Sequence, residues 1–242
     1  MTAAAQVACW CVVVAAGRGL RFGGEVPKQY VPIDGRPLLA WTLERLAAQP
    51  RIAGLLVVLA EADPYWPDLD KPAGTPLRTA TGGTARADSV LAGLAALPDS
   101  VRSDDFVLVH DAARPCVRAA DIERLIDLGV PAGGGLLAAP LRDTLKRADG
   151  EQRVGATEPR DARWRAFTPQ LFRRGDLSAA LAAARAAGIE ATDEAMAMER
   201  LGFRPLLVEG ADDNIKVTTP ADRVLAEFLL RRMARDASAT VS

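Results

Sequence analysis

Residues 7–24 read VACWCVVVAAGRGLRFGG, an apolar run of ten residues that breaks into a glycine-rich turn. A bilayer span needs about 20 apolar residues, and no run in the chain reaches that length. A secretory leader would carry a basic segment ahead of the run; none is present, and Gly17-Arg18-Gly19 follows at once. The run therefore reads as a buried strand, and the glycines as the turn leaving its carboxyl end.

The same alternation continues outward. Apolar, β-branched runs predict strands at 9–15, 54–59, 106–110, 135–139 and 205–208. Helical periodicity predicts helices at 37–49, 85–97, 119–128, 177–187, 193–201 with Thr192 as N-cap, and 220–235 with Pro220 in the first turn. The first places Leu38, Leu39, Trp41, Thr42 and Leu46 on one face; the second does so with Val90, Leu91, Leu94 and Leu97. Strand and helix in turn mean an α/β fold, a mostly parallel twisted sheet flanked by helices. No Gly/Ser/Pro linker or long repeat divides the chain, so residues 1–242 are expected to form a single domain. Residues 141–168 break the pattern, being polar and charged without a strong period, and are expected to protrude as an arm.

Composition narrows the classes of function. Thirty basic against 31 acidic residues leave a net charge of −1, which argues against a chain drawn as a whole to nucleic acid or anionic lipid. Four of the basic residues are lysines, leaving 26 arginines, so a single arginine is weak evidence of function. Three cysteines fit a reducing compartment better than a disulfide framework, which makes the cytoplasm the expected location.

Three segments carry chemistry. The turn after the first strand combines glycines with Arg21 and, further on, Pro27-Lys28-Gln29, a pattern suited to a polyphosphate at a strand's carboxyl end. Phe22 breaks the dinucleotide-binding fingerprint and a Gly-Lys-Ser/Thr triplet is absent, so neither common nucleotide loop is present; a surface turn made basic by the arginine bias is the bland reading. Residues 107–115 end a strand in His110-Asp111 with Arg114 three further on, placing charge where a substrate or metal sits at a sheet edge. His110, with no adjacent nucleophile or second histidine, reads as a structural or positioning residue. Cys9 and Cys11 share a strand face and, with Cys116, read as core rather than a zinc cage. Late in the chain, Thr192-Asp193-Glu194 reads as a helix start, acids facing the dipole. Lys216, in Asp213-Asn214-Ile215-Lys216-Val217-Thr218, either points to the side of Lys28 or guards an edge strand.

Taken together the motifs resemble a known family. Ala-Ala-Gly-x-Gly-x-Arg…Pro-Lys-Gln-Tyr (15–30), Gly-Gly-x-x-Arg-x-Asp-Ser-Val (82–90), Val-His-Asp-Ala-Ala-Arg-Pro (109–115), Asp-Thr-x-Lys (143–146), Thr-Pro-Gln (168–170), Thr-Asp-Glu (192–194) and Asp-Asn-Ile-Lys-Val-Thr (213–218) occur in this order. The combination resembles the 2-C-methyl-D-erythritol 4-phosphate cytidylyltransferases and covers almost the whole chain. The resemblance implies a Rossmann-like nucleotidyltransferase fold with a protruding β-arm at roughly 141–168, which serves dimerisation. It implies transfer of a cytidylyl group from CTP to 2-C-methyl-D-erythritol 4-phosphate, with pyrophosphate released, in the non-mevalonate isoprenoid route.

It also implies roles. Arg21 and Lys28 would stabilise the transition state on the triphosphate, and Mg²⁺, bound mainly by CTP phosphates with Asp111 as a protein ligand, would complete the clamp. Ala15, Ala16, Gly17, Gly82, Gly83 and Ser89 would hold cytosine and ribose. Asp111, Arg114, Thr144, Thr168 and Thr192 would hold the acceptor, with Arg160 and Lys216 aligning its phosphate. In the family the arm reaches the other subunit of a homodimer, so Arg160 and Thr144 would serve the partner's site. Thr84 stands where relatives often carry an acid, and Leu20 where they are often basic. A cytidylyltransferase for another alditol phosphate, such as ribitol 5-phosphate, is the alternative within this fold. A non-catalytic nucleotide-binding regulator would have no need of cations around an acceptor phosphate, and Phe22 argues against a nicotinamide dehydrogenase.

Overall fold

The computed structural model of the chain describes residues 7–17 and 26–240, with side chains as far as residue 236. In chain order the elements are β1 (Cys9–Val14), a 3₁₀ turn (Lys28–Tyr30), β2 (Pro32–Ile33), β3 (Arg36–Pro37), α1 (Leu38–Ala47), β4 (Ile52–Leu59), β5 (Leu77–Thr81) and α2 (Arg86–Ala95). Then follow β6 (Phe106–Asp111), α3 (Ala119–Gly129), β7 (Gly135–Pro140), β8 (Leu145–Ala148), β9 (Val154–Glu158), β10 (Trp164–Arg173), α4 (Arg174–Ala186), α5 (Glu194–Arg200), β11 (Leu206–Glu209) and α6 (Pro220–Thr240).

Seven strands form one sheet in the order β11-β7-β10-β6-β1-β4-β5. β1 pairs in parallel with β4 and β6, β5 with β4, and β11 with β7. β10 alone runs antiparallel, between β6 and β7. Period-two alternation sends Cys9, Cys11 and Val13 of β1 into one face and Val12 into the other. The first face packs on α1 and α3 through Leu39, Leu43, Leu46, Ile122, Leu125 and Ile126. The second packs on α2, α4 and α5 through Val90, Leu94, Leu177, Leu181 and Met198. Cys116 is buried in a third cluster where α6 seats Ala226, Leu229 and Leu230 against Ile33, Leu38 and Val217.

The five expected strands and six expected helices are all present, with ends moved by a few residues. Three expectations are corrected. Thr192 does not cap α5: the Asp193 carboxylate does, accepting the Met196 N–H at 2.9 Å. The arm is shorter than 141–168. Its hairpin, β8 with β9, forms its own two-stranded sheet, but Thr168 belongs to β10, whose second half is buried in the main sheet. Pro169 inside that strand is an ordinary sign against a central strand, and the pairing with β7 is interrupted between Ala166 and Gln170. Nor is Lys216 an edge-strand lysine, because residues 210–219 carry no strand. β5 was not expected; it is a short edge strand, LRTAT, with little apolar alternation. No helix among the described residues is long and apolar enough to cross a membrane.

This topology fixes where the sheet opens a crevice. From β1 the chain moves outward to β4 and β5 on one side, then returns to lay β6 on the other. A crevice therefore opens beyond the carboxyl ends of β1 and β6. Since β10 is antiparallel to β6, its early residues arrive at the edge where β6 ends, which brings Thr168 to Asp111.

Candidate active site

Two cavities lie in that crevice. One, of about 180 Å³, is lined by Ala15, Ala16 and Gly17 after β1, Lys28 and Gln29 of the 3₁₀ turn, residues 83–86 and Ser89 around the start of α2, and Asp111 and Lys216. The other, of about 210 Å³, is lined by Arg114, Thr168, Gln170, Thr192 and Asp193 among others. Arg86, Asp111 and Lys216 line both and form their common wall.

Local structure shapes the first cavity. Gly82 stands just behind the lining: a Cβ there would come within 2.5 Å of Ala16 Cβ and 2.7 Å of Ser89 Oγ, so only glycine lets the loop pass this close. A Cβ on Gly83 would sit 2.4 Å from Asp88 Cβ. Ser89 Oγ accepts the Gly83 N–H at 3.2 Å, and Asp88 Oδ2 accepts the Ala85 N–H at 3.3 Å, which holds the loop against α2. On the opposite side buried Gln29 donates from Nε2 to Ala15 O at 2.7 Å, tying the turn that carries Lys28 to the end of β1.

The common wall is an ion cluster. Asp111 Oδ1 faces Arg86 Nη2 at 3.1 Å; Oδ2 faces Lys216 Nζ at 2.9 Å and Arg114 Nε at 3.4 Å. Burial alone would raise the Asp111 pKa, but Arg86, Lys216 and Arg114 outweigh it and hold the carboxyl far below the usual carboxylate range. Arg86 also pairs through Nη1 and Nη2 with Glu194, which is fully buried. The described lining of the two cavities carries Lys28, Arg86, Arg114 and Lys216 against Asp111 and Asp193, a balance that favours anions.

His110 supports this cluster from below. Its Nε2–H donates to Arg114 O at 3.1 Å, so its Nδ1 accepts the Thr168 hydroxyl at 3.0 Å, and Thr168 Oγ1 in turn accepts the Asp111 N–H at 3.0 Å. Burial pushes the imidazole pKa down to about 4, so it is neutral and structural, as its isolation in sequence suggests.

The structure gathers most of the expected site residues. Ala15, Ala16, Gly17, Lys28, Gly83, Ser89, Asp111 and Lys216 line the first cavity; Asp111, Arg114, Thr168, Thr192 and Lys216 line the second. Arg21 lies outside the described residues. Thr144 and Arg160 are exposed at the arm and line neither cavity of their own chain; Arg160 donates to Arg142 O. Three contributors were not anticipated. Arg86 sat unassigned within the Gly-Gly-x-x-Arg motif, Glu194 read only as a helix-dipole acid, and Gln29 only as part of Pro-Lys-Gln-Tyr.

Among the described residues no group of three or more His, Cys, Asp and Glu side chains converges as a metal cage. Asp111 is the sole carboxylate in the described lining of the first cavity, and both its oxygens face cations. This donor set fits a divalent ion whose ligands are chiefly phosphate oxygens, with Asp111 as at most one protein ligand.

Residues 9–232 match the family model of 2-C-methyl-D-erythritol 4-phosphate cytidylyltransferase. The chain belongs to this family. A cytidylyltransferase of that name from Xanthomonas euvesicatoria is 60% identical over 222 residues, covering 91% of this chain and 84% of that protein. One from Xylella fastidiosa is 58% identical over 228 residues, covering 94% and 99%. The crystal structure of the Francisella tularensis cytidylyltransferase superposes with a TM-score of 0.79 at 32% identity, covering 92% of this chain and 99% of that one. The fold is thus the α/β nucleotidyltransferase fold of the cytidylyltransferases, and the chain is an enzyme of that class.

Proposed function

We propose that the first cavity binds CTP, the second binds 2-C-methyl-D-erythritol 4-phosphate, and the acceptor phosphate attacks across their common wall. The activity is that of the family, a cytidylyl transfer in the non-mevalonate route to isoprenoid precursors. The observation that carries the residue assignment is the shared wall: Lys216 faces both cavities, so one cation can meet both phosphates.

The chemistry explains why no general base is needed. A phosphate monoester has a second pKa of about 6 and is already a dianion near neutrality. One of its oxygens forms a bond to the α-phosphorus of CTP as the bridging bond to the β-phosphate breaks, and pyrophosphate leaves with the electron pair. Bringing one anion onto another is the obstacle, so positioning and cationic neutralisation dominate. Lys28 and Arg21 neutralise the triphosphate, while Lys216 and Arg114 orient the acceptor. Gly82, Gly83 and Ser89, with Ala15, Ala16 and Gly17, read cytosine and ribose largely through backbone groups. Mg²⁺, when bound, would supply further neutralisation of the triphosphate, held chiefly by phosphate oxygens with Asp111 as at most one protein ligand.

Thr144 and Arg160 complete the acceptor site of a second chain in a homodimer. The exposed β8–β9 hairpin supports this reading, since an isolated two-stranded hairpin is marginal in water and gains most from a partner surface. Buried Cys9, Cys11 and Cys116, carried as free thiols, support a cytoplasmic location.

Pyrophosphate release measured over CTP, UTP, ATP and GTP against methylerythritol phosphate and ribitol 5-phosphate tests the proposal. CTP with methylerythritol phosphate should be fastest. Equal turnover with UTP would overturn the cytosine assignment, and faster turnover of ribitol 5-phosphate would move the chain to that alditol phosphate.

A further inference from the structure

One side chain joins the loop of the first cavity to the wall of the second. Arg86 opens α2 directly after Gly83, Thr84 and Ala85 and lines both cavities. Its Nε and Nη2 face Asp111 Oδ1 at 3.3 and 3.1 Å, while Nη1 and Nη2 take the two oxygens of Glu194. The guanidinium fork is thus committed to protein carboxylates rather than held ready for phosphate. A fully buried carboxylate is costly unless paired, and Glu194 meets that cost at Arg86, behind the common wall. Asp111 Oδ1 is held on this fixed arginine, and Oδ2 is left turned to Lys216 and Arg114.

We propose that Arg86 is a positioning residue: anchored by Glu194, it fixes Asp111 on the common wall and so sets the acceptor site from the nucleotide loop. This rests on reading the two cavities as CTP and acceptor sites. Without the fork, the Asp111 carboxylate keeps its partners on the acceptor side and loses the one that orients it from the nucleotide side. Lys216 and Arg114 then have no fixed carboxylate to be aligned against.

Two variants of the full chain test it. Arg86→Lys keeps a charge but one ammonium cannot present the fork to two carboxylates. Arg86→Gln with Glu194→Gln removes the pair without leaving a buried charge unmatched. Each should bind CTP alone, by calorimetry without divalent ion, within about twofold of wild type, while KM for methylerythritol phosphate rises about tenfold or more. If the double variant fails to fold, the lysine variant decides. A merely structural pair would lower the melting temperature and leave KM for the acceptor unmoved; a direct phosphate contact would weaken CTP binding in step. Either result overturns the proposal. Wild-type activity measured alongside separates the two levels. Lack of pyrophosphate release by the wild type condemns the reading of the cavities, whereas an active wild type with an unmoved acceptor KM in the variants condemns only the role of Arg86.

Discussion

Lys216 Nζ stands 2.9 Å from Asp111 Oδ2 on the wall that both cavities share, so the cation that faces both cavities is held by a carboxylate rather than left to solvent. Asp111 stays ionised across the working pH range because three cations hold its carboxyl down. On the proposed reading of the cavities, an acceptor phosphate would compete with that carboxylate for a lysine that already points to where it would be needed.

The two lysines of the first cavity should separate kinetically. Lys28 enters from the 3₁₀ turn and is absent from the second cavity's lining, whereas Lys216 belongs to both. Lys28→Ala should lower kcat by about 100-fold or more with little change in KM for methylerythritol phosphate. Lys216→Ala should lower kcat and also raise that KM. Steady-state pyrophosphate release over both substrates checks this; a Lys28→Ala defect confined to KM would reassign Lys28 to ground-state binding.

His110 gives the fold a defined acid sensitivity. Its pKa falls from 6.5 to about 4 on folding, because burial disfavours the charged ring. The unfolded chain therefore takes up this proton first, and the stability contributed by His110 is complete above about pH 6.5 and lost as pH falls to about 4. The loss amounts to about 3 kcal/mol. Urea unfolding at pH 7 and pH 4.5 should show it, and His110→Gln should fall less over the same interval. An equal fall in both proteins would contradict this account.

Much of this was legible in the sequence, and its gaps have physical causes. β1 declares itself because both its faces are buried, so its residues are apolar without interruption. The helices show apolar stripes because each buries one face only. β10 stays hidden because its first residues, Trp164, Arg165 and Ala166, are exposed and Pro169 interrupts it. By local pattern Thr168 therefore reads as the end of the arm, although the family resemblance groups it with Asp111 at the acceptor. Lys216 had two readings open, since a local Ile/Val pattern does not tell an edge strand from an irregular segment crossing the site. Arg86 and Glu194 lie 108 positions apart, and no local pattern announces that a helix-opening acid is fully buried against an arginine of another helix.

A site shared between subunits, as proposed, predicts complementation. Lys28→Ala and Arg160→Ala chains, each inactive alone, should regain activity when mixed under conditions that allow subunit exchange. A mixed dimer has one site with both defects and one with neither. With random pairing about half the dimers are mixed, so about a quarter of wild-type activity should return. No recovery after exchange has been demonstrated would mean that Arg160 serves its own chain or no site at all.

The central claim is that the acceptor phosphate attacks CTP directly across the wall of Arg86, Asp111 and Lys216, with no protein nucleophile between them. The most direct measurement is the stereochemical course at the α-phosphorus, using CTP made chiral there by a single sulfur and methylerythritol phosphate as acceptor. One in-line displacement inverts the configuration, and inversion is the result predicted here. Retention would require two displacements through a covalent enzyme intermediate and would contradict the account.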